Sequence, residues 1–329
     1  MEWSRIEPAE GEFSSAALDH YAKVLESLAR QGMTAFATLY HLTLPQWFAA
    51  RGGWLATDAL DIFGRYVQKV ATTLGDRIPY ACTINEPQLV ALASYAVGNF
   101  PPGHRSLDEA ARVNAVLAEA HRFATEALRA GAGSPKIGTC LQLPLIEPLR
   151  ADSAEDAAAV AFVRQFMVDF HIDDLRNGGD VGDFVGLQYY TRVLIDATNP
   201  QLVATPDENA ETTQMHWEIY PEGFGRMLRR VADAGLPIFV TENGIATDDD
   251  AQRVRYLIAH LQQVKAALAD GVDVRGYMHW SSFDNFEYNH GYTPTFGLIG
   301  IDRQNGYRRI VKPSAAVYGE IARSGCLPS

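Results

Sequence analysis

Two glutamates stand directly after short apolar runs. Glu86 follows Cys82-Thr83-Ile84-Asn85 and precedes Pro87, and Glu242 follows Ile238-Phe239-Val240-Thr241 and precedes Asn243-Gly244. Pro87 and the Asn243-Gly244 pair are turn formers, so each carboxylate is expected to be exposed where a strand gives way to a loop. In a parallel α/β barrel all strand C-termini face one rim, and catalytic groups gather there. Two carboxylates converging on one pocket can cleave a glycosidic bond. One protonates the leaving oxygen while the other attacks the anomeric carbon, provided they lie roughly 5 Å apart. Spacing alone leaves other readings open, because each glutamate could equally cap a helix or pair with a cation, and unrelated barrel chemistry would use the same rim.

The elements able to present such a pair alternate along the chain. Strand candidates lie near 34–40, 78–84, 136–143, 184–190, 238–241 and 276–280, with a short one at 2–6, which makes seven. Between them run amphipathic helical patterns. Leu18, Tyr21, Leu25 and Leu28 recur at helical spacing, with Ser14 or Ser15 as N-cap and Gly32 as a stop, and Leu60, Phe63, Val67, Val70 and Leu74 follow Thr57 and close at Gly75. Further helices are predicted over 107–128, from 152 or 153 to about 175, and over 221–234, 248–268 and 314–322. Strands joined by crossover helices predict a parallel sheet of (β/α)8 TIM-barrel type. No repeat, low-complexity tract or Pro/Ser linker interrupts the pattern, so residues 1–329 read as a single domain.

Composition narrows the partners. The 329 residues are 47% hydrophobic, enough for a large core, and 28 Lys and Arg against 40 Asp and Glu give a net charge of −12. That field repels phosphate backbones and anionic lipid, so neither nucleic acid nor a membrane surface is expected as a partner. Cys82, Cys140 and Cys326 are odd in number and far apart, which suits a reducing compartment better than a disulfide framework. The start MEWSRIEPAEGEF is acidic and polar where an export signal would be basic and then apolar, and no apolar run is long enough to span a bilayer. A cytoplasmic protein is therefore expected. The nine His and three Cys show no ligand-like clustering, and no glycine-rich phosphate cradle follows a strand, so neither metal nor organic cofactor is predicted.

The motifs are more specific than the composition. Thr83-Ile84-Asn85-Glu86-Pro87 and Thr241-Glu242-Asn243-Gly244 resemble the acid/base and nucleophile motifs of family 1 glycoside hydrolases. The resemblance extends through nearly the whole chain. Trp3-Ser4-Arg5-Ile6 is similar to the family's second strand, Thr38-Leu39-Tyr40-His41 to its third and Tyr189-Tyr190-Thr191-Arg192 to its sixth. Residues 280–287, Trp-Ser-Ser-Phe-Asp-Asn-Phe-Glu, with Gly291-Tyr292 and Phe296-Gly297-Leu298, are similar to the eighth strand and its loop, and Lys312-Pro313-Ser314-Ala315 to the final helix. The resemblance implies a β-glucosidase-type enzyme that hydrolyses terminal β-glucosidic or β-galactosidic bonds with retention, through a covalent glycosyl-enzyme intermediate. It implies Glu86 as acid/base, un-ionised at rest beside the negative charge of Glu242, and Glu242 as an ionised nucleophile oriented by Arg5 and Tyr190. His41, Asn85, Trp280, Glu287 and Tyr288 would bind the sugar, and Trp217 would lie near the aglycone side or staple the helix that follows it. A carboxylate at Glu287 suits a neutral hydroxyl and would repel a sugar phosphate.

The chain also departs from that pattern. It begins inside the family's second strand, so the first strand, with its sugar-binding Gln, and the first helix are expected to be missing, and the open barrel edges would invite self-association. Leu42 and Tyr288 replace usual tryptophans and Gln188 replaces an Asn, which touches sugar preference more than reaction type. The competing expectation is a catalytically silent, truncated barrel that at most binds carbohydrate.

Overall fold

The computed structural model describes residues 1–328. The chain divides into two compact units, the first formed by Met1–Gln142 with Phe170–Gly186, the second by Leu143–Asp169 with the chain from Leu187 onward. Ten strands are described: β1 (Phe36–His41), β2 (Tyr80–Asn85), β3 (Lys136–Gln142), β4 (Leu145–Pro148), β5 (Phe184–Gln188), β6 (Arg192–Ile195), β7 (Ile238–Asn243), β8 (Val274–His279), β9 (Ile299–Asp302) and β10 (Arg308–Val311).

In the first unit β1 and β2 pair in parallel from Phe36 opposite Tyr80 to His41 opposite Asn85, and β2 pairs in parallel with β3. Parallel neighbours need crossovers, supplied by the helices Ala59–Leu74 and Leu107–Arg129. The second of these starts where Ser106 accepts the Glu109 N–H. The helix Ser15–Arg30 opens on the Ser14 cap, which accepts the Ala17 N–H. A block of Trp3, Tyr40, Phe48, Trp54, Phe63 and Tyr66, all fully buried, packs behind β1, with Trp3 stacked on Tyr66 at 4.9 Å. Glu7 is buried among them, and its charge is met by the Trp3 indole at 2.8 Å and the Arg65 guanidinium at 2.7 Å.

The second unit holds the parallel pair β7–β8, the parallel ribbon β4–β6 and the antiparallel hairpin β9–β10. Its helices Pro221–Val231 and Asp250–Ala269 flank β7 in the chain, and Pro313–Ser324 comes last. The four strands β4, β6, β9 and β10 have four residues each, too short to leave a periodic signal in the sequence.

Six of the seven expected strands are found. The seventh, at 2–6, is corrected: Trp3–Ile6 is a helical turn, closed by the Glu7 N–H donating to the Trp3 carbonyl at 2.8 Å. A strand would put Trp3 and Arg5 on the same face; the helix instead puts Trp3 and Ile6, three residues apart, on the buried side and leaves Arg5 exposed. The helix predicted from 152 or 153 to 175 is in three pieces, Ala154–Arg164, a wide π turn at Gln165–Asp169 and Phe170–Asn177.

Candidate active site

The first unit contributes Glu86 at the end of β2. Its backbone is left-handed, with φ of 50°, a conformation that costs a non-glycine residue about 1 kcal/mol or more and is held only where the surroundings over-determine it. Here they do. The Glu86 N–H donates to the Cys140 carbonyl of β3 at 2.8 Å, its carbonyl accepts from Leu89 and Val90 at 3.0 Å each, and Pro87 starts the next helical turn with its ring already set for it. The side chain is 5% exposed. The register of β1 and β2 sets His41 opposite Asn85, so two residues expected to bind sugar end adjacent strands, next in sequence to Glu86. Burial pushes the His41 imidazole down to about 4, leaving a neutral ring that can donate to one hydroxyl and accept from another.

The second unit contributes Glu242, within β7 rather than beyond it, and 9% exposed. The Tyr190 hydroxyl donates to its carboxylate at 2.5 Å. The Tyr190 ring packs with Ala246 and Phe296 in a buried cluster, with Met215, Trp217 and Trp280 against it, and the Trp217 ring lies 5.5 Å from that of Tyr190. Trp280 also donates its indole N–H to Glu287 at 3.4 Å, a long bond that joins two residues expected to bind sugar. Tyr288 follows at the start of a short 3₁₀ turn with φ of 45°.

Both glutamates were expected to be exposed, and both are buried. Turn residues after a strand predict where the chain bends, whereas the aromatic rings around Tyr190 come from distant segments and decide what covers the strand end. The same burial acts on the protonation of Glu242. Expected to be ionised, it is pushed up to about 8, first by desolvation, with the Tyr190 hydroxyl pulling it down and the charge of Glu287 pushing it up. Burial likewise raises Glu287. Burial thus opposes ionisation of Glu242, and the hydrogen bond from Tyr190 favours it.

Arg5 is exposed on its helical turn. Of the expected residues, Tyr190, Glu242, Trp280 and Glu287 are linked by the contacts above within the second unit, and His41, Asn85 and Glu86 share neighbouring strand ends in the first. Asn243 was read only as a turn former. It is fully buried in β7, donates to the Tyr189 carbonyl at 2.6 Å and the Tyr256 hydroxyl at 3.0 Å, and accepts from the Tyr277 hydroxyl at 2.8 Å. Gly244 next to it is required, because a Cβ there would overlap the Trp280 carbonyl oxygen. An Asn-Gly pair after a strand signals a turn from sequence alone, and nothing local announces that the Asn amide is instead a buried clamp next to Glu242. Among the described residues no group of His, Cys, Asp and Glu is arranged to hold a metal ion.

The model of glycosyl hydrolase family 1 matches residues 1–182 and 179–326 of the chain. β-Glucosidase A of Thermotoga maritima is 32% identical over 99% of the chain and 82% of its own length, and a β-galactosidase of Sulfolobus acidocaldarius is 32% identical over 99% of the chain and 73% of its own. Among solved structures, a β-glycosidase from Pyrococcus horikoshii superimposes with a TM-score of 0.92 at 36% identity, covering 100% of the chain and 80% of that structure. The β-glucosidase of Thermotoga maritima in complex with glucoimidazole gives 0.91 at 31%, covering 99% and 82%. These similarities establish the (β/α)8 barrel type that the alternating strands and helices predicted.

Proposed function

Given that the chain belongs to glycosyl hydrolase family 1, and is thus a glycoside hydrolase, we propose that it cleaves terminal β-glucosides and β-galactosides with retention, Glu242 attacking and Glu86 moving the proton. The β-glucosidases and β-galactosidase among the relatives support the choice of sugars. The observation that carries the assignment of the nucleophile is the buried Glu242 carboxylate held by the Tyr190 hydroxyl at 2.5 Å. A charge-assisted hydrogen bond fixes the attacking oxygen in direction and favours its ionised form.

Ionised Glu242 forms a bond from its carboxylate oxygen to the anomeric carbon as the glycosidic C–O bond breaks, and Glu86 gives its proton to the departing oxygen. Glu86, now a carboxylate, takes a proton from water, whose oxygen attacks the anomeric carbon and releases Glu242. His41, Asn85 and Glu287 supply hydrogen bonds to sugar hydroxyls, with Trp280 beneath the ring. No step calls for a metal or an organic cofactor.

Hydrolysis of p-nitrophenyl β-glucoside and β-galactoside by the protein and by Glu242→Ala tests this. Release of nitrophenol by the parent and not by the variant is expected; equal rates reject the enzyme and favour the silent barrel. Proton NMR of the first sugar released is expected to show the β-anomer, and first appearance of the α-anomer rejects retention.

A further inference from the structure

Both amide protons of Asn243 are used. One goes to the Tyr189 carbonyl at 2.6 Å and the other to the Tyr256 hydroxyl at 3.0 Å, while the amide oxygen accepts from the Tyr277 hydroxyl at 2.8 Å. These partners decide which way the amide faces. A carbonyl can only accept, so the nitrogen must lie against Tyr189, and the oxygen then faces Tyr277, which has a proton to give it.

What Asn243 holds is the peptide from which Tyr190 leaves the chain. The Tyr189 carbonyl belongs to the bond that joins Tyr189 to Tyr190, and the Tyr189 N–H donates to the Glu242 carbonyl at 3.2 Å. The Tyr190 hydroxyl then returns to the Glu242 carboxylate. Two neighbouring residues, Tyr189 and Tyr190, are thus tied at three points to two others, Glu242 and Asn243. In such a closed ring each bond restricts the freedom left by the rest, so direction is held more tightly than by any one of them.

The two phenols that orient the amide are themselves anchored. The Tyr256 ring stacks on His260 at 3.7 Å, and the His260 Nδ1–H donates to the Tyr256 carbonyl at 2.8 Å within the helix Asp250–Ala269. The Tyr277 carbonyl on β8 accepts from the Tyr318 hydroxyl of the last helix at 3.1 Å. Burial pushes both phenols well above their ordinary value, so each keeps its proton in any ordinary assay and Tyr277 remains a donor.

Resting on the glycosidase reading, we propose that Tyr256 and Tyr277 are positioning residues for the nucleophile: through the Asn243 amide they fix the Tyr189-Tyr190 peptide, and with it the line along which the Tyr190 hydroxyl meets Glu242. That hydroxyl pulls Glu242 down against burial and against the charge of Glu287, the groups that face it. Loosening the ring of contacts therefore raises Glu242 and carries the acidic limb of the pH profile upward.

Tyr256→Phe and Tyr277→Phe, assayed with p-nitrophenyl β-glucoside across pH, test the proposal. Each is expected to lower kcat/KM about 2- to 12-fold, the size of one neutral hydrogen bond, and to move the acidic limb upward. Asn243→Asp, which sets an acceptor against the Tyr189 carbonyl, should lose at least about 10-fold. Combined with Tyr190→Phe, all three should lose their effect on the limb, because the contact they set is gone. Tyr318→Phe, which removes a phenol that reaches Tyr277 and not the amide, should leave the limb in place. Thermal scans show which variants are folded, and the two phenylalanine variants decide the matter even where Asn243→Asp does not fold. Limbs that stay put in Tyr256→Phe and Tyr277→Phe, shifts that persist without the Tyr190 hydroxyl, or an equal shift in Tyr318→Phe overturn the positioning role and leave the glycosidase reading standing. Absence of hydrolysis by the parent protein overturns that reading, and the inference with it.

Discussion

Glu86 and Glu242 both close apolar parallel strands, and the two are held by different means. Glu86 is aimed by its backbone: a left-handed residue fixed between the β3 carbonyl it donates to and the helical turn that Pro87 begins. Glu242 sits within β7, where the register with β8 shifts between Val240 and Asn243, and is aimed by side chains, with the Tyr190 hydroxyl donating to its carboxylate and the Asn243 amide clamping the neighbouring backbone. A left-handed backbone sets the direction in which the Glu86 side chain leaves the strand end. A side-chain device that donates to the carboxylate favours one charge state and one direction, which suits a nucleophile.

The largest effect should separate the two roles. Glu242→Ala is expected to lower kcat on the order of 10⁴-fold or more for every glycoside, because no later step proceeds without the covalent bond. Glu86→Gln should cost about 10²- to 10⁴-fold with alkyl glucosides, whose leaving oxygen needs a proton, and much less in the first step with p-nitrophenyl glucoside, whose leaving group does not. Burst kinetics with the aryl substrate check this, and equal losses on both substrates would remove the distinction between the residues.

Next in size is Tyr190→Phe. Losing a hydrogen bond to a charged group, about 1.5–3 kcal/mol, should reduce kcat/KM roughly 10- to 150-fold. It should also move the acidic limb of the pH profile upward, because the hydroxyl is what holds Glu242 down against burial. A limb that moves downward or stays put breaks the assignment.

A smaller effect concerns stability. Folded Glu242 holds its proton up to about 8, more tightly than an ordinary carboxyl. Its contribution is thus complete below the ordinary carboxylate range and is lost as pH rises through the folded value. Glu242→Gln, which mimics the protonated form, should gain Tm relative to the parent at about pH 9 and show little difference at about pH 4, on the order of 2 °C or more between the two conditions. Thermal scans at both values decide it.

The last comparison lies within the first helical turn. Trp3→Ala, which removes a fully buried ring from the aromatic block, should destabilise the fold by about 3–5 kcal/mol, and Arg5→Ala, two residues on and exposed, by less than about 0.5 kcal/mol. Chemical denaturation measures both. Because Arg5 is exposed, its replacement is expected to leave the acidic limb of the pH profile where it was; a shift like that of Tyr190→Phe would restore it to the orienting role implied by the family resemblance.

Much of the fold was legible because its signals are local. The spacing of Leu60, Phe63, Val67, Val70 and Leu74 gives a helix that ends where predicted, and Ser14, Ser106 and Ser153 cap helices as short polar residues do. Trp3-Ser4-Arg5-Ile6 misled because alternation over four residues fits a strand and a single helical turn equally well, and only the pocket waiting for Trp3 and Ile6 separates them.

By itself the sequence determined which residues stand at the strand ends and in what order, Glu86 after Asn85 and Glu242 before Asn243-Gly244, since strand period and turn chemistry are written in neighbouring residues. Only the tertiary structure decided that both carboxylates are buried, that burial raises Glu242 against the pull of the Tyr190 hydroxyl, and that Asn243 is a clamp. Each of those depends on desolvation and contacts between segments tens of residues apart, and free energies of that kind exist only once the chain has closed around them.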